Sequence, residues 1–449
     1  MTKSVKQIFI ILSTVAGIFL LIHNISQYPI DLGYTFGFHA TYADILMSKW
    51  RLPNLSETAV AYNPPFFYLI SGLFVRLVSK LSNQSFLDSI KYWPYIGALL
   101  SITSLFLWSK IIKKLHPQDK ILSLVVIGWT FSIPVFQKMM PMYTIEPFLL
   151  FIMTLTFWYF IIIFQPKPTI KKTFILSILT SIAILTRITS LVLLITIALG
   201  ILGLGLIKQL NWKKTLSLFA VFLTLTIMTS GWFYYLRRNR KIVYSSGVPK
   251  EKWPINKYGL SFYVDIPFKF MMTYPLRLPP PNPTPIIPVY YSTFWGDYWN
   301  YYIPKRFNIT KEAQKQDRHI TNTQRLKSLS LQNQINLLPT LIIISGFFYQ
   351  LTLSLKKLTK KPDKQWLTQT MFLLFSCLTW FGFLYFISFY PSWKGDGIKA
   401  GYMLFNLPIF IYTASLFLLK KLKNYKFIFI PAIIWLIFAT GINLWWSWY

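Results

Sequence analysis

The chain has 449 residues and a formal net charge of +33, yet 54% of its residues are hydrophobic and only 13% are charged. A soluble globular protein carries about 25% charged residues, so the composition excludes that class and indicates an integral membrane protein. The excess of Lys and Arg would suggest a nucleic-acid partner in a soluble protein. Here these residues cluster in short connections between apolar segments, a pattern typical of cytoplasmic loops, so we expect membrane lipids around the chain and no nucleic acid.

Apolar segments recur along the whole chain and predict helices, because lipid cannot satisfy the hydrogen bonds of an open backbone. They lie near residues 8–24, 64–81, 90–112, 121–138, 147–165, 173–186, 188–206, 215–236, 336–354, 366–390, 401–419 and 427–447. The strongest basic connections are the N-terminus and residues 110–120, 167–172, 208–214, 356–364 and 420–426. The sequence therefore predicts an all-α polytopic membrane protein with about 11 to 12 transmembrane helices.

All the basic connections can lie in the cytoplasm only if one apolar segment does not cross the membrane. Residues 64–81 are the natural candidate, because this segment is short, begins with aromatic residues and contains Arg76 and Lys80. We expect it to lie along or dip into the outer interface, with the N-terminus in the cytoplasm and the C-terminus outside. The N-terminal segment lacks a small-residue cleavage site and is expected to stay as the first span.

This topology divides the chain into three parts. Residues 1–236 form a transmembrane module with a first outer loop at 25–89, residues 237–336 form a long outer loop, and residues 337–449 form the C-terminal transmembrane helices. The prolines of the stretch PLRLPPPNPTPIIP in the long loop predict an extended segment. Cys377 is the chain's single cysteine, which excludes an internal disulfide and a cysteine metal site.

Glu146 and Arg187 are ionisable residues at the edges of apolar segments, where charge is costly and usually faces a cavity or a site. Glu146 also fits a simpler interpretation, a carboxylate favoured by the dipole at a helix N-terminus beside Pro147. Arg187 either extends to the interface or binds an anion.

Lys394 and Lys399, in SWKGDGIKAGYML, are also basic residues on the predicted outer side, which runs against the usual charge bias. Two glycines beside them let the backbone approach a ligand. Together with Arg187, these lysines predict a phosphate site at the outer leaflet.

Three titratable residues, Asp31, His39 and Asp44, lie close together in the first outer loop. If residues 38–50 form a helix, His39 and Asp44 are five positions apart and do not share a face. Such a helix is expected to lie in the interface plane. The residues just before it, including Asp31 and Thr35, then contribute to the site.

Several motifs resemble, in their order along most of residues 1–420, those of the GT-C glycosyltransferases, which include protein O-mannosyltransferases, aminoarabinose transferases and oligosaccharyltransferase catalytic subunits. The first are YTFGFHATYADILMSKWRLP, AYNPPFFYLISG, IEPFLLF and LTRITSLVLL. The later ones are SGWFYYLRRN, STFWGDYWNYYIP and IKAGYMLFNLP.

The resemblance implies a GT-C-like fold with juxtamembrane helices in the first outer loop and a long outer loop. It also implies inverting transfer of a sugar from a polyprenyl-phosphate donor to a lipid, glycan or protein acceptor on the outer face of the plasma membrane. A loop carboxylate then acts as base and cations hold the donor phosphate. Some members use a divalent metal, and the sequence shows no clear ligand cluster, so metal use stays open.

One position departs from the family. Bacterial relatives usually have Asp four residues before the histidine, where this chain has Thr35, which cannot act as a base at neutral pH. Either Asp31 takes that role or the protein is an altered or inactive relative.

We therefore predict Asp31 and Glu146 as catalytic residues. The predicted substrate-binding residues are Thr35, His39, Tyr62, Arg187, Lys394, Lys399 and Tyr402. The alternatives are a lipid or solute transporter or flippase, which would distribute charges through the depth of the bilayer, and a catalytically inactive scaffold.

Overall fold

The computed structural model describes residues 3–239, 259–273, 275, 284–302, 307, 310, 323–360, 362–389 and 397–449. These residues form helices and their connections, and no β-strand occurs among them. The helices are α1 (Lys3–Gln27), α2 (Phe36–Lys49), α3 (Phe66–Ser82), α4 (Phe86–Ser89), α5 (Trp93–Leu115), α6 (Lys120–Ser132), α7 (Pro134–Met139), α8 (Glu146–Trp158), α9 (Ile170–Thr186), α10 (Leu191–Leu206), α11 (Trp212–Asn239), α12 (Ser261–Val264), α13 (Phe268–Thr273), α14 (Ile286–Trp295), α15 (Thr323–Ile335), α16 (Leu337–Leu358), α17 (Lys364–Phe389), α18 (Leu407–Leu416) and α19 (Lys426–Trp446).

Eight helical stretches within the described residues are long and apolar enough to cross a membrane. They are Phe86–Leu115, Glu146–Phe164, Ile188–Leu206, Trp212–Arg238, Leu337–Leu358, Lys364–Ser388, Ala400–Asn424 and Lys426–Trp446. The predicted all-α polytopic membrane fold is confirmed, while the number of 11 to 12 crossings and the three-part division stay predictions. Helix α3 is not among these stretches, and its placement in the outer interface also stays a prediction.

Two helical stretches form the centre of the bundle. The apolar window is 72% buried in Glu146–Phe164 and 83% buried in Ala400–Asn424, against 28% in α16 and α19. The start of α8 packs against the 3₁₀ helix Ala400–Asn406 that leads into α18. These central stretches carry two of the predicted site residues, Glu146 and Tyr402, near their first residues. Helices α16 and α19 lie at the periphery of the bundle.

The chain breaks its predicted 121–138 segment at Ile133, between α6 and α7. Ile133 is extended (ψ 122°) because Pro134 disfavours the helical conformation in the residue before it. The Gln137 side chain then donates to the freed carbonyl of Phe131 at 2.7 Å and to the carbonyl of Gly17 at 3.1 Å. This break bends the chain at the end of the bundle where α8 starts.

The basic connections meet at one end of the bundle, called here the basic end and made of residues 113–120, 165–172, 206–214, 356–364 and 420–426. Gln165 Nε2 donates to the carbonyl of Lys364 at 3.3 Å, and the Gln209 amide donates to the carbonyl of Gln165. Lys420 Nζ lies 3.4 Å from His116 Nδ1. Contacts therefore join connections that are far apart in sequence at a single end.

The end of α19 packs against the end of α1. Asn24 Nδ2 donates to the carbonyl of Ser447 at 2.8 Å, and the amide of Tyr449 donates to Asn24 Oδ1 at 3.0 Å. The Tyr28 and Tyr302 rings stack at 5.4 Å, each next to the ring of Tyr449. This aromatic group connects α1 and α19 to the turn that follows α14.

Candidate active site

Glu146 and Arg187 form a buried ion pair between two helix ends. Glu146 is the first residue of α8 and Arg187 directly follows α9, in an extended conformation. The distance from Arg187 Nη1 to Glu146 Oε1 is 2.5 Å, with side-chain exposures of 15% and 6%. The N-terminus of α8 also favours the carboxylate, with Pro147 in the first turn. The two interpretations of Glu146, helix-end carboxylate and site residue, are thus compatible.

Lys399 lies just before the 3₁₀ helix and is only 4% exposed. Its ammonium nitrogen faces three tyrosine rings, with centroids at 4.7 Å for Tyr34, 5.3 Å for Tyr301 and 5.5 Å for Tyr402. Among the described residues, its one hydrogen-bond contact is the Tyr402 hydroxyl at 3.5 Å. Across the described ranges no carboxylate pairs with it. An ammonium has three N–H donors, so Lys399 keeps donors for a ligand.

Tyr402 connects the two cations. The Arg187 guanidinium carbon lies 4.5 Å from the Tyr402 ring centroid, and the Lys399 ammonium lies against the same ring. We call Glu146, Arg187, Lys399 and Tyr402 the charged cluster. Tyr62 belongs to its surroundings, because its hydroxyl interacts electrostatically with Arg187.

The backbone on either side of Lys399 is held by neighbouring elements. Trp299 Nε1 donates to the carbonyl of Ile398 at 2.8 Å. A Cβ at Gly401 would lie 2.6 Å from Met139 Sδ, so Gly401 packs directly against the Met139 side chain of α7. Lys399 is thus positioned by contacts from both flanks.

A buried turn after α14 places Tyr301 against the Lys399 ammonium. The Asp297 carboxylate accepts hydrogen bonds from the backbone amides of Tyr301 at 3.2 Å and Tyr302 at 2.7 Å. Arg325 donates to the Asp297 carbonyl at 2.9 Å, and its guanidinium lies 3.7 Å from the carboxylate. The segment of residues 237–336 thereby contributes to the site through this turn.

His39 is held by a chain of hydrogen bonds within residues 25–89. Its Nδ1 lies 2.7 Å from the Tyr68 hydroxyl, which accepts a hydrogen bond from Asn63 Nδ2 at 2.9 Å. The Tyr42 ring stacks on Tyr68 at 3.7 Å. These contacts join α2 and α3 and fix the plane of the imidazole.

The charges that act on His39 are those of Glu146, Arg187 and Lys399, so its ring lies beside the charged cluster. The pKa of His39 is lowered to about 4, mainly by burial; Arg187 and Lys399 contribute to the lowering and Glu146 opposes it. Asp44 lies on the exposed side of α2, so the prediction that His39 and Asp44 do not share a face is confirmed.

Thr35 and Asp31 precede α2. Thr35 has a left-handed backbone (φ 51°), which is unusual for a β-branched residue, and its hydroxyl donates to the carbonyl of Tyr34 at 2.7 Å. Asp31 is half-buried in the 3₁₀ turn Ile30–Leu32, and its charge acts on Tyr449. The structure thus brings Glu146, Arg187, Lys399, Tyr402, Tyr62 and His39 together and places Asp31 towards the end of α19. Lys394 lies outside the described residues.

Four residues of this site were not predicted from the sequence: Tyr34, Asn63, Tyr68 and Tyr301. All four lie inside motifs that carried the resemblance, YTFGFHATYADILMSKWRLP, AYNPPFFYLISG and STFWGDYWNYYIP. Their concentration of tyrosines around few charged residues was the available signal.

The residues that the structure describes do not fit a divalent metal at this site. No group of three His, Cys, Asp or Glu side chains there could hold a metal ion. The Glu146 carboxylate is paired with Arg187, and His39 Nδ1 is engaged by Tyr68.

No protein-family model matches the chain, and no curated protein matches its sequence. Solved structures do match its fold. One is the archaeal oligosaccharyltransferase AglB from Archaeoglobus fulgidus in complex with an inhibitory peptide and a dolichol-phosphate, with a TM-score of 0.51 and 12% identity over 99% of this chain and 56% of that chain. The Archaeoglobus fulgidus oligosaccharyltransferase in complex with Zn and sulfate matches with a TM-score of 0.51 and 10% identity over 98% of this chain and 53% of that chain.

ArnT from Cupriavidus metallidurans bound to undecaprenyl phosphate has a TM-score of 0.49 and 11% identity, over 97% of this chain and 64% of that chain. The chain thus spans between 53% and 64% of the length of these three proteins. The likeness to the two oligosaccharyltransferase structures shows that the chain has the GT-C fold, as the sequence predicted.

Proposed function

We propose that the protein is an integral membrane glycosyltransferase that moves a sugar from a polyprenyl-phosphate donor to an acceptor on the outer face of the plasma membrane. The observation that carries this proposal is the pair of buried cations, Arg187 and Lys399, which both lie against the Tyr402 ring. Fold alone does not imply function, so the proposal rests on this site.

The two cations suit a phosphate. Lys399 has unused N–H donors and no carboxylate partner among the described residues. Arg187 presents a planar set of N–H donors, and Glu146 pairs with its Nη1. Hydrogen bonds from cations to phosphate are stronger than neutral ones. The aromatic walls of Lys399 exclude water and strengthen its attraction for an anion.

The proposed reaction is a single displacement. The acceptor oxygen attacks the anomeric carbon of the sugar, a carboxylate takes the acceptor's proton, and the bond from that carbon to the phosphate oxygen breaks with inversion. The leaving polyprenyl phosphate keeps the electron pair, and Arg187 and Lys399 stabilise its negative charge.

Asp31 is the proposed proton acceptor and Glu146 the positioning carboxylate. Glu146 is already paired with Arg187, so it orients the guanidinium. Asp31 is half-buried in the 3₁₀ turn Ile30–Leu32 that precedes α2. Tyr62, His39 and Tyr402 surround the donor headgroup in this proposal, and Thr35 and Lys394 keep their proposed roles in substrate binding.

Two observations support an outer-face site. The charged cluster lies where α8 begins and α9 ends, while the connection between these helices belongs to the basic end. Basic connections favour the cytoplasm, and this supports the opposite, outer side as the proposed location of the charged cluster. The donor class is supported by the dolichol-phosphate held by the AglB structure of the same fold.

A transfer assay tests the proposal. The purified protein in lipid nanodiscs is given a panel of radiolabelled polyprenyl-monophosphate sugars with a total lipid and peptidoglycan extract, and the release of polyprenyl phosphate is measured. We expect release that Asp31→Asn and Lys399→Met each abolish while both variants stay folded. Full activity in Asp31→Asn would overturn the assignment of the base.

The rivals give different results in the same preparation. A flippase moves a fluorescent polyprenyl phosphate across proteoliposomes without bond cleavage, and an inactive scaffold does neither. Buried charges spread through the bilayer depth would favour the flippase, whereas Glu146, Arg187 and Lys399 lie together.

A further inference from the structure

The hydrogen bonds around Tyr68 define where its proton lies. Tyr68 is fully buried, and its hydroxyl has two contacts, Asn63 Nδ2 at 2.9 Å and His39 Nδ1 at 2.7 Å. Asn63 Nδ2 is a donor, so the hydroxyl accepts there. A buried hydroxyl proton without an acceptor is costly, and His39 Nδ1 is the only acceptor left for it among the described residues.

This arrangement decides the tautomer of His39. Nδ1 accepts from Tyr68, so the ring proton of the neutral imidazole lies on Nε2. No hydrogen bond in the described part of the chain engages Nε2. The ring lies beside the charges of Glu146, Arg187 and Lys399.

We propose that Asn63 and Tyr68 are positioning residues that hold His39 as the Nε2–H tautomer, and that Nε2–H donates a hydrogen bond to a phosphate oxygen of the lipid bound at the charged cluster. His39 is then a neutral donor and not the base. The identity of this lipid rests on the proposed function, whereas the tautomer does not.

The tautomer is tested directly by nitrogen NMR. The chain has four histidines, so full-length protein with ¹⁵N-labelled imidazole rings in nanodiscs gives few signals, and the one lost in His39→Gln is assigned. We expect a protonated Nε2 and an unprotonated, hydrogen-bonded Nδ1. A protonated Nδ1 in the wild type would overturn the proposal.

Asn63→Asp reverses the direction of the chain of hydrogen bonds. A carboxylate only accepts, so the Tyr68 proton turns towards residue 63 and Nδ1 takes the ring proton. Tyr143→Phe is the matched control, because Tyr143 is also buried but bonds Ser71 at 2.8 Å. We expect a switched tautomer in Asn63→Asp and none in Tyr143→Phe. The same tautomer in Asn63→Asp as in the wild type, or a switch in the control, would contradict the proposal.

The donor role is tested with undecaprenyl phosphate as the probe. Titration should shift the Nε2 resonance while Nδ1 stays in place, and Asn63→Asp should weaken binding about tenfold, as expected for one lost hydrogen bond to a charged group. The ³¹P signal of undecaprenyl phosphate shows when the protein is saturated. If the Nε2 resonance has not shifted at saturation, the donor role is overturned. A Nε2 shift in a protein that transfers no sugar would instead refute the proposed function and leave this inference standing.

Discussion

Each end of the bundle holds a buried histidine beside a tyrosine hydroxyl, and the two differ in one ring nitrogen. His39 Nδ1 lies 2.7 Å from Tyr68 and its Nε2 has no partner among the described residues. At the basic end, His116 Nε2 lies 2.8 Å from Tyr412 and Nδ1 lies 3.4 Å from Lys420. Burial lowers the pKa of both to about 4. His116, with contacts at both ring nitrogens, joins helices. His39, with a contact at Nδ1 alone among the described residues, has Nε2 available to a ligand.

The lysines of the two ends differ in the same way. Lys420 is exposed, and its ammonium lies 3.4 Å from His116 Nδ1. Water and a neutral imidazole nitrogen therefore solvate its charge. Lys399 is buried among tyrosine rings, and its hydrogen-bond contact among the described residues is the Tyr402 hydroxyl at 3.5 Å. Burying a charge without a counter-ion costs stability. Lys399 carries this cost and Lys420 does not. This difference supports a ligand at the charged cluster.

The ion pair of the charged cluster should give the largest effect. Glu146→Gln leaves the Arg187 guanidinium buried without its carboxylate, and we expect a loss of about 3 to 5 kcal/mol in the free energy of unfolding. Chemical denaturation in detergent micelles measures it. The control is Glu57→Gln, which removes an exposed pair with Arg51 and should hardly change stability. Equal effects at the two pairs would mean that Glu146 is not in a buried pair.

Lys399→Met should separate stability from binding. Removing a buried ammonium that has no carboxylate partner in the described part of the chain should leave the free energy of unfolding unchanged or raise it. Binding of undecaprenyl phosphate should weaken about a hundredfold, or about 2.7 kcal/mol. Lys420→Met at the basic end should change binding little. Undiminished phosphate binding in Lys399→Met would remove the basis of the proposed site.

The two histidines predict an acid-sensitive fold. Both have a folded pKa of about 4, below the ordinary value of 6.5, so the unfolded chain binds more protons between these limits. Stability is therefore complete above pH 6.5 and falls as the pH drops towards 4. The His39 contribution between pH 7 and pH 5 is about 2 kcal/mol.

Unfolding curves measured from pH 7 to pH 5 check this. His39→Gln and His116→Gln should each flatten the dependence on pH relative to the wild type. A variant as acid-sensitive as the wild type would mean that its histidine is solvated in the folded protein.

Hydropathy predicted the helices, and the rarity of charge in apolar segments indicated Glu146 and Arg187. Glu146 and Arg187 stood out because an ionised group in an apolar segment is costly, which is a local property of the sequence. Tyr34 and Tyr301 did not stand out among 27 tyrosines, and their rings meet at 4.1 Å across 267 positions of sequence (301 − 34). Such contacts follow from packing between distant elements.

The strained backbone at Thr35 was also not predicted from the sequence. Thr35 adopts a left-handed conformation that its β-branched side chain disfavours, and no local pattern predicted it. The break at Ile133, by contrast, follows from Pro134 and could have been predicted from the sequence.

Thr35→Asn should give the smallest effect. Asparagine tolerates φ near 51° better than a β-branched residue does, so we expect a gain of about 1 kcal/mol in the free energy of unfolding, against the loss of the hydrogen bond to Tyr34. Lys208→Asn is the matched control at the basic end, where Lys208 has φ 56° but no β-branch, so its gain should be smaller. Only Thr35→Asn should also change undecaprenyl phosphate binding, because Thr35 adjoins the Tyr34 ring that faces Lys399. If both variants gain equally and neither alters binding, the left-handed turn at Thr35 serves the fold and not the site.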